Sequence, residues 1–395
     1  MQIAEHITNQ ADALDDLIVR RAESMADTPE QAIAEIAAGL GSGPFAVVML
    51  FVACRYDRTR LAAAVRERLP QETVIGCTTA GEIGVSGYLD NSVVAIGLPL
   101  SHFRAVPMVI RDLDNFGQSF TVAEALRRRS ALADHSPNWG NEFAFLLADG
   151  VSMREDGLVA ALAPALGTTP LFGGSAADGV RFGETFIFAE GGFRQNTAVV
   201  TFIRTPCRIK VFRFDHLVPT DVKMVVTSAD PVHRLVHELN AEPAARAYAR
   251  ALGRESEQLS PFIFAAHPVA VRVGDRHHVC SIQRVEENGD LRFLTAIDEG
   301  LVLTLARGQD IASHLARSLD ELSPGPLPDA IIACECVLRR LEIEKTGVRK
   351  PMSETLRRHR VVGFNSYGEQ FNMLHVNQTF TGVAIYPPAD DSPGT

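Results

Sequence analysis

The 395-residue sequence carries few of the features that announce a compartment or a chemistry. Cysteine is sparse. Cys54, Cys77, Cys207, Cys280, Cys334 and Cys336 are scattered, several inside apolar runs, which excludes a disulfide framework and fits reduced thiols in the cytoplasm. No apolar run approaches the roughly 18–20 residues that span a bilayer, so no membrane insertion is expected. The N-terminal stretch MQIAEHITNQADALDD is polar and acidic and does not read as a signal peptide. A basic excess is missing too: 38 Lys and Arg stand against 48 Asp and Glu, a net charge of −10, which argues against a nucleic-acid partner. Neither a Walker loop nor the CxxCH of covalent haem occurs.

What is there is repetition. Val74-Ile75-Gly76-Cys77-Thr78-Thr79-Ala80-Gly81-Glu82-Ile83 returns as Val361-Val362-Gly363-Phe364-Asn365-Ser366-Tyr367-Gly368-Glu369-Gln370. A looser copy is Leu171-Phe172-Gly173-Gly174-Ser175-Ala176-Ala177-Asp178-Gly179. Each copy reads as a buried strand ending in a Gly-rich turn that presents hydroxyls and amides. An apolar run precedes each (Phe45–Val52, Phe143–Ala148, Ala330–Ala333) and a strand follows (Ser92–Leu98, Ala198–Ile203, Phe380–Ile385). The chain therefore predicts three strand–helix–strand–turn–strand units, a mixed α/β fold in two layered sheet/helix lobes.

Other signals fill in around the units. Residues 1–27 read as a polar helical lead, and Thr28-Pro29-Glu30-Gln31 as a helix start. Gly39-Leu40-Gly41-Ser42-Gly43 follows a helix, not a strand, so it is a C-cap and linker and not a dinucleotide loop. Asp230-Pro231 predicts a further helix that would carry His233 and His237 on one face. Phe262–Ala265, Val269–Val273, His277–Gln283 and Leu291–Thr295 predict short strands. Gly274-Asp275 and Asn288-Gly289 mark their hairpin turns. The tail from Pro387 is expected to fray.

The motifs VIGCTTAGEI (74–83), LFGGSAADG (171–179), VVGFNSYGEQ (361–370) and HVNQTFTGVAIY (375–386) resemble the FIST family, a two-part bacterial sensory module. The resemblance runs from about residue 30 to 386. It implies a lead over 1–29, a FIST N-type domain over 30–229, a FIST C-type domain over 230–388 and a tail over 389–395. Stand-alone members resemble the nitric-oxide-sensing haem proteins of NosP type. That implies haem b, nitric oxide as ligand and a sensor histidine kinase as partner. The family at large implies a small metabolite such as an amino acid, without iron. Oligomeric state stays open.

Each candidate residue has a bland reading beside the functional one. His375 is the first candidate for an axial haem ligand, with Asn377 placed to orient its ring and Tyr367 close by in sequence. It also reads as a strand-capping histidine. His267, beside Phe262 and Phe264, is the second candidate. His277 and His278 are adjacent on a strand and face opposite ways. Cys77, Thr78, Thr79, Gly173, Gly174, Ser175, Asn365 and Ser366 line a ligand pocket if the turns converge, and are turn residues otherwise. Glu82 and Glu369 occupy the same place in two copies, suited to proton transfer or to binding turn amides. Cys77 lacks the glycines of a nucleophile elbow, and Cys334-Glu335-Cys336 offers too few thiols for zinc. The expected function is ligand sensing without catalysis.

Overall fold

The computed structural model of the protein describes residues 17–273 and 276–388. Residues 1–16, the Gly274-Asp275 turn and the tail from 389 lie outside the described residues.

Three units of one design build the core. Each runs lead strand, helix, first strand, helical segment, corner strand, hairpin and closing strand. In unit one these are Arg20–Ser24, Pro29–Leu40, Phe45–Ala53, Arg58–Arg68, Val74–Thr79, the pair Glu82–Gly84 and Gly87–Leu89, and Val93–Pro99. Unit two repeats them as Arg104–Arg111, Gln118–His135, Asn141–Ala148, Glu155–Leu166, Leu171–Ser175, Ile187–Ala189 with Gly192–Arg194, and Thr197–Thr205. Unit three has Ile209–Phe214, Ile311–Asp320, Ala330–Cys336, the two helices Val337–Thr346 and Arg349–Arg358, Val361–Ser366, Glu369–Phe371 with Leu374–Val376, and Phe380–Ile385. First and corner strands run parallel in every unit, and the closing strand is antiparallel to the first.

The hairpins do not stay at home. That of unit one pairs with the corner strand of unit three, that of unit three with unit two, and that of unit two with unit one. Each six-stranded sheet therefore holds four strands of its own and two borrowed ones, and the units close into a ring.

Alternation along the strands explains the layers. Val47, Met49 and Phe51 face a central core that all three units share, where Phe51 stacks on Phe364 at 4.5 Å. Val48, Leu50 and Val52 face outward onto the helices of unit one, under Ile33, Ile36, Leu61 and Val65. The glycine common to the three copies is explained by the same packing. A Cβ on Gly76, Gly173 or Gly363 would lie 2.0, 2.0 or 1.7 Å from the carbonyl oxygen of Leu50, Leu146 or Ala333 on the neighbouring first strand. These glycines sit within strands and permit close backbone approach; they do not form the turns expected of them.

Between the lead strand and first helix of unit three, residues 217–308 form an inserted lobe. Its eight-stranded sheet carries helices Ala244–Ala251 and Pro261–Ala266 and packs on its own core around Val226, Val236, Tyr248 and Phe264. Several expectations change here. Arg20–Ser24 is a strand, not part of a helical lead. No helix starts at Asp230-Pro231: Leu217–Asp230 and Leu235–Leu239 are strands joined by a tight turn with Arg234 at φ 55°. The Asp-Pro pair serves that turn instead of a helix cap. Phe262–Ala265 is helical, because Ser260-Pro261 starts a helix there.

Gly76→Ala is expected to destabilise by about 3 kcal/mol or more, since backbone must yield. Gly157→Ala, in a helix with open space around it, is expected to gain about 0.5–1 kcal/mol. Urea denaturation midpoints of the two variants check both signs.

Candidate functional site

In a parallel strand pair, ligands gather at the carboxyl ends of the strands. Unit one opens there into a cleft of about 620 Å³. Its floor is Ala53 and Cys54, one wall is Thr79, Ala80, Gly81 and Glu82, and the other is Asp178, Gly179 and Arg181 from unit two. The first and second corners thus converge. The cleft is polar and carries both signs of charge. Arg181 reaches it with its side chain 68% exposed, its Nε donating to the Asp178 carbonyl at 3.1 Å with the Asp178 carboxylate at 3.7 Å. Cys54 gives its thiol hydrogen to the carbonyls of Thr79 and Ala177 at 3.6 and 3.5 Å. Burial pushes that thiol up, so it is a poor nucleophile.

The second wall belongs to the loop 176–186, which replaces the short corner of the other units. Tyr367 from the third corner holds this loop from behind. Its hydroxyl accepts from the N–H groups of Asp178 and Phe182 at 3.2 and 2.9 Å, donates to the Asp178 carboxylate, and its ring stacks on Phe182 at 4.1 Å. Tyr367 also shares an apolar cluster with Ala265 and Leu294 of the inserted lobe. One loop therefore touches the cleft on one side and the lobe junction on the other.

The family model of the FIST N domain matches residues 46–242, and that of the FIST C domain matches residues 244–372. The chain is a FIST protein. FIST domains are sensory domains of signal transduction. The FIST N match spans most of units one and two, then the lead strand of unit three and the first strands of the inserted lobe. The FIST protein is also similar to an uncharacterized protein of Methanocaldococcus jannaschii, 23% identical over 383 residues, covering 86% of this chain and 73% of that protein. Among the described residues no helix is long and apolar enough to cross a membrane.

Glu82 and Glu369 prove to be structural twins, both fully buried. Glu82 meets Thr79 Oγ1 with one oxygen and accepts from Ser92 N–H at 3.2 Å and Oγ at 2.7 Å with the other. Glu369 meets Ser366 Oγ, and accepts from Thr379 N–H at 3.3 Å and Oγ1 at 2.6 Å. Thr79 and Ser366 each have a backbone carbonyl, of Val52 and Glu335, at 3.3 Å. A protonated carboxyl that donates to the hydroxyl, which donates to the carbonyl, satisfies every group. Desolvation accordingly pushes Glu82 up to about 7 and Glu369 up to about 8, against the hydroxyl bonds that pull them down. In unit two, Asp149 takes the place, accepting from Thr185, Asn196 and Val151.

The third corner closes onto the lobe. His375, 9% exposed, lies opposite Gln370, whose Nε2 reaches its Nδ1 at 3.3 Å and Ser175 Oγ at 2.9 Å. Ser175 donates to Glu155 at 3.2 Å, and Glu155 pairs with Arg234 of the lobe at 2.7 Å with both side chains buried. Burial raises the Glu155 carboxyl most strongly, but the Arg234 charge, the nearby His375 and the hydrogen bonds to the carboxylate together outweigh it and leave the group below its ordinary range. Oxygens of Gln370, Asn377 and Gln378, and the hydroxyl of Ser281 in the lobe, have no protein partner. Sequence reasoning missed Glu155, Arg234 and Arg181. The one available signal was Asp178, which stands where the other two copies have glycine.

A haem at His375 requires an apolar slot and a ring nitrogen with a free lone pair. Gln370 Nε2 is a donor, so Nδ1 accepts and the ring proton sits on Nε2. The ring packs against Gly368, where a Cβ would lie 2.4 Å from it and 2.8 Å from Asn377 Nδ2. Gln370, Asn377 and the Glu155 carboxylate stand around it. These residues do not fit a haem. Asn377 donates to the Tyr367 carbonyl at 3.5 Å, so it is Gln370 and not Asn377 that orients the imidazole. His267 ends a helix, its carbonyl taken by Tyr248. His233 and His237 pair separately with Asp230 and Asp290. His277 and His278 lie on the strand Arg276–Cys280, where His278 faces Arg213 at 3.2 Å.

The remaining candidates point inward. Cys77 and Cys334 are fully buried in the central core and their thiols are pushed well up by burial, so neither is placed as a nucleophile. Gly173 and Gly174 are strand residues, and Gly174 lies under the Phe364 ring. Asn365 donates to Glu335 at 3.0 Å, and Thr78 Oγ1 accepts from Phe186 N–H at 3.1 Å. Among the described residues no group of three His, Cys, Asp or Glu is placed for a metal ion.

The two acids set a pH dependence. Their folded values lie above the unfolded value near 4.5, so their contribution is complete below about pH 4.5 and disappears as pH rises through 7–8. Each can contribute a slope of up to about 1.4 kcal/mol per pH unit in that window. Glu82→Gln with Glu369→Gln reproduces the neutral bonding pattern. The double variant is expected to show a flatter decline and to exceed the wild type in stability at pH 9, as read from denaturation midpoints between pH 5 and 9.

Proposed function

We propose that this FIST protein is a small-ligand sensor whose ligand lies in the cleft between the first and second corners. The output is the seating of the inserted lobe on the ring. One observation carries this reading: the loop 176–186 lines the cleft with Asp178, Gly179 and Arg181 and is clamped from behind by Tyr367, beside the lobe. A ligand that pulls on Arg181 disturbs the clamp. The junction it would disturb is incompletely satisfied, with four buried oxygens lacking protein partners, so it is a contact ready to rearrange. A coupling of roughly 1–3 kcal/mol would change affinity for a downstream partner by about 5–150-fold.

The guanidinium and carboxylates around the cleft favour a small zwitterionic metabolite such as an amino acid over haem. Haem b, nitric oxide and a partner histidine kinase rest on the resemblance alone. A small-molecule panel in a thermal-shift assay, led by the twenty amino acids, is expected to give at least one stabilising compound whose effect disappears in Arg181→Ala. Tyr367→Phe keeps the ring stack and loses the hydroxyl. It is expected to bind that compound but to lose its effect on hydrogen exchange at residues 291–297. Added haemin is expected to give no Soret band; a band that vanishes in His375→Ala would replace this reading with the iron one.

A further inference from the structure

The inserted lobe is joined to the ring by two crossings, Asp215-His216 on the way out and Gly308-Gln309 on the way back. His216 holds them together. Its carbonyl accepts from Gln309 N–H at 2.9 Å, and its side chain is buried at the join. The ring lies between two residues of the helix Val337–Thr346. Nε2 reaches the Glu342 carboxylate at 2.9 and 3.1 Å, and Nδ1 reaches Arg339 Nη1 at 2.8 Å. Gly308 comes so close that a Cβ there would lie 3.3 Å from Nε2 and 3.2 Å from Glu342 Oε1.

The direction of these bonds is forced. Arg339 can only donate, so Nδ1 must be the bare nitrogen and Nε2 must carry the proton that goes to Glu342. The imidazole is neutral in the closed join. Arg339 cannot step aside: its Nε donates to Glu335 at 3.1 Å, and Glu335 also accepts from Tyr88 at 2.7 Å and Asn365 at 3.0 Å. A second proton on His216 would put an N–H against a buried guanidinium, breaking the bond and leaving two cations together. The other charged groups near the ring do not reverse that. Asp310 caps and His314 belongs to the first helix of unit three, the latter with its ring centre 6.4 Å away, and Arg213 at the end of the lead strand pairs with Asp215 just beyond it at 4.0 Å.

We propose that His216 is a proton-operated latch on the inserted lobe. Neutral, it pins both crossings to helix Val337–Thr346; protonated, it lets them part, so lobe seating responds to acidification as well as to ligand. The latch does not depend on the ligand reading, because it lies in neither the cleft nor the Tyr367 clamp.

Hydrogen exchange of the full chain at the Gln309 amide tests it, each rate divided by the unfolded-peptide rate at the same pH. Protection is expected to fall at least tenfold between pH 7.5 and pH 5, while that of the central strand Phe45–Ala53 does not fall, because Glu82 and Glu369 favour the fold as pH drops. Glu342→Gln, which keeps a hydrogen-bond acceptor but removes the charge that favours an imidazolium, is expected to move the midpoint to lower pH. His216→Gln is expected to remove the step. Constant protection at Gln309 from pH 7.5 to 5 in the wild type would overturn the latch, as would a step that survives in His216→Gln. If His216→Gln does not fold, the Glu342→Gln midpoint decides: an unmoved midpoint overturns it.

Discussion

Each corner strand leaves a backbone edge that its own unit does not cover. A buried row of unpaired N–H and C=O groups is too costly to persist, and the edge is satisfied by a hairpin from another unit. Everything else follows from that debt. The hairpin leaves its unit immediately after the corner strand, so the corner must turn sharply and its polar groups must be bonded locally. Glu82 and Glu369 stand at that departure, each gathering a hydroxyl and a closing-strand N–H. The exchange runs in one direction around the ring and returns to its start, which is why any two units alone would leave one corner strand without its hairpin.

The proposed ligand cleft and its clamp lie where the threefold pattern is broken. Unit one has the plain corner and leaves a cleft. Unit two stretches its corner into the loop 176–186 and puts an aspartate where the others have glycine. Unit three interrupts itself with the inserted lobe and supplies Tyr367 in place of alanine. The three departures meet one another, because the ring brings each corner against its neighbour. A symmetric frame thus holds the asymmetric parts at fixed spacing, and the parts that differ are the ones that touch the cleft or the lobe.

The three units were legible because buried parallel strands write continuous apolar runs, and the run, glycine and hydroxyl sequence recurs at VIG, LFG and VVG. The reason for the glycine was not legible. A carbonyl 2 Å from an absent Cβ belongs to a strand some 26 residues earlier, and nothing local records it. The hairpin exchange was hidden for the same reason: Glu82-Ile83 pairs with Phe364-Gly363, and only the tertiary register makes that partnership. Local signals also misled. Asp230-Pro231 has the chemistry of a helix start but serves a β-turn, while Ser260-Pro261 does start a helix under a segment whose phenylalanines suggested a strand. His375 was singled out as a ligand candidate with Asn377 to orient it, but the side chain that reaches its ring is Gln370, across the hairpin.

The exchanged hairpins impose a schedule on synthesis. The strands Glu82–Gly84 and Gly87–Leu89 leave the ribosome early, but the edge they complete, Val361–Ser366, emerges more than 270 residues later. At about 5–20 residues per second the wait is roughly a quarter of a minute to a minute. During that interval Ile83 and Tyr88, buried in the finished ring, have no lasting partner. The nascent chain is an open circle whose first clasp must remain solvated and unclaimed until its last link has been made.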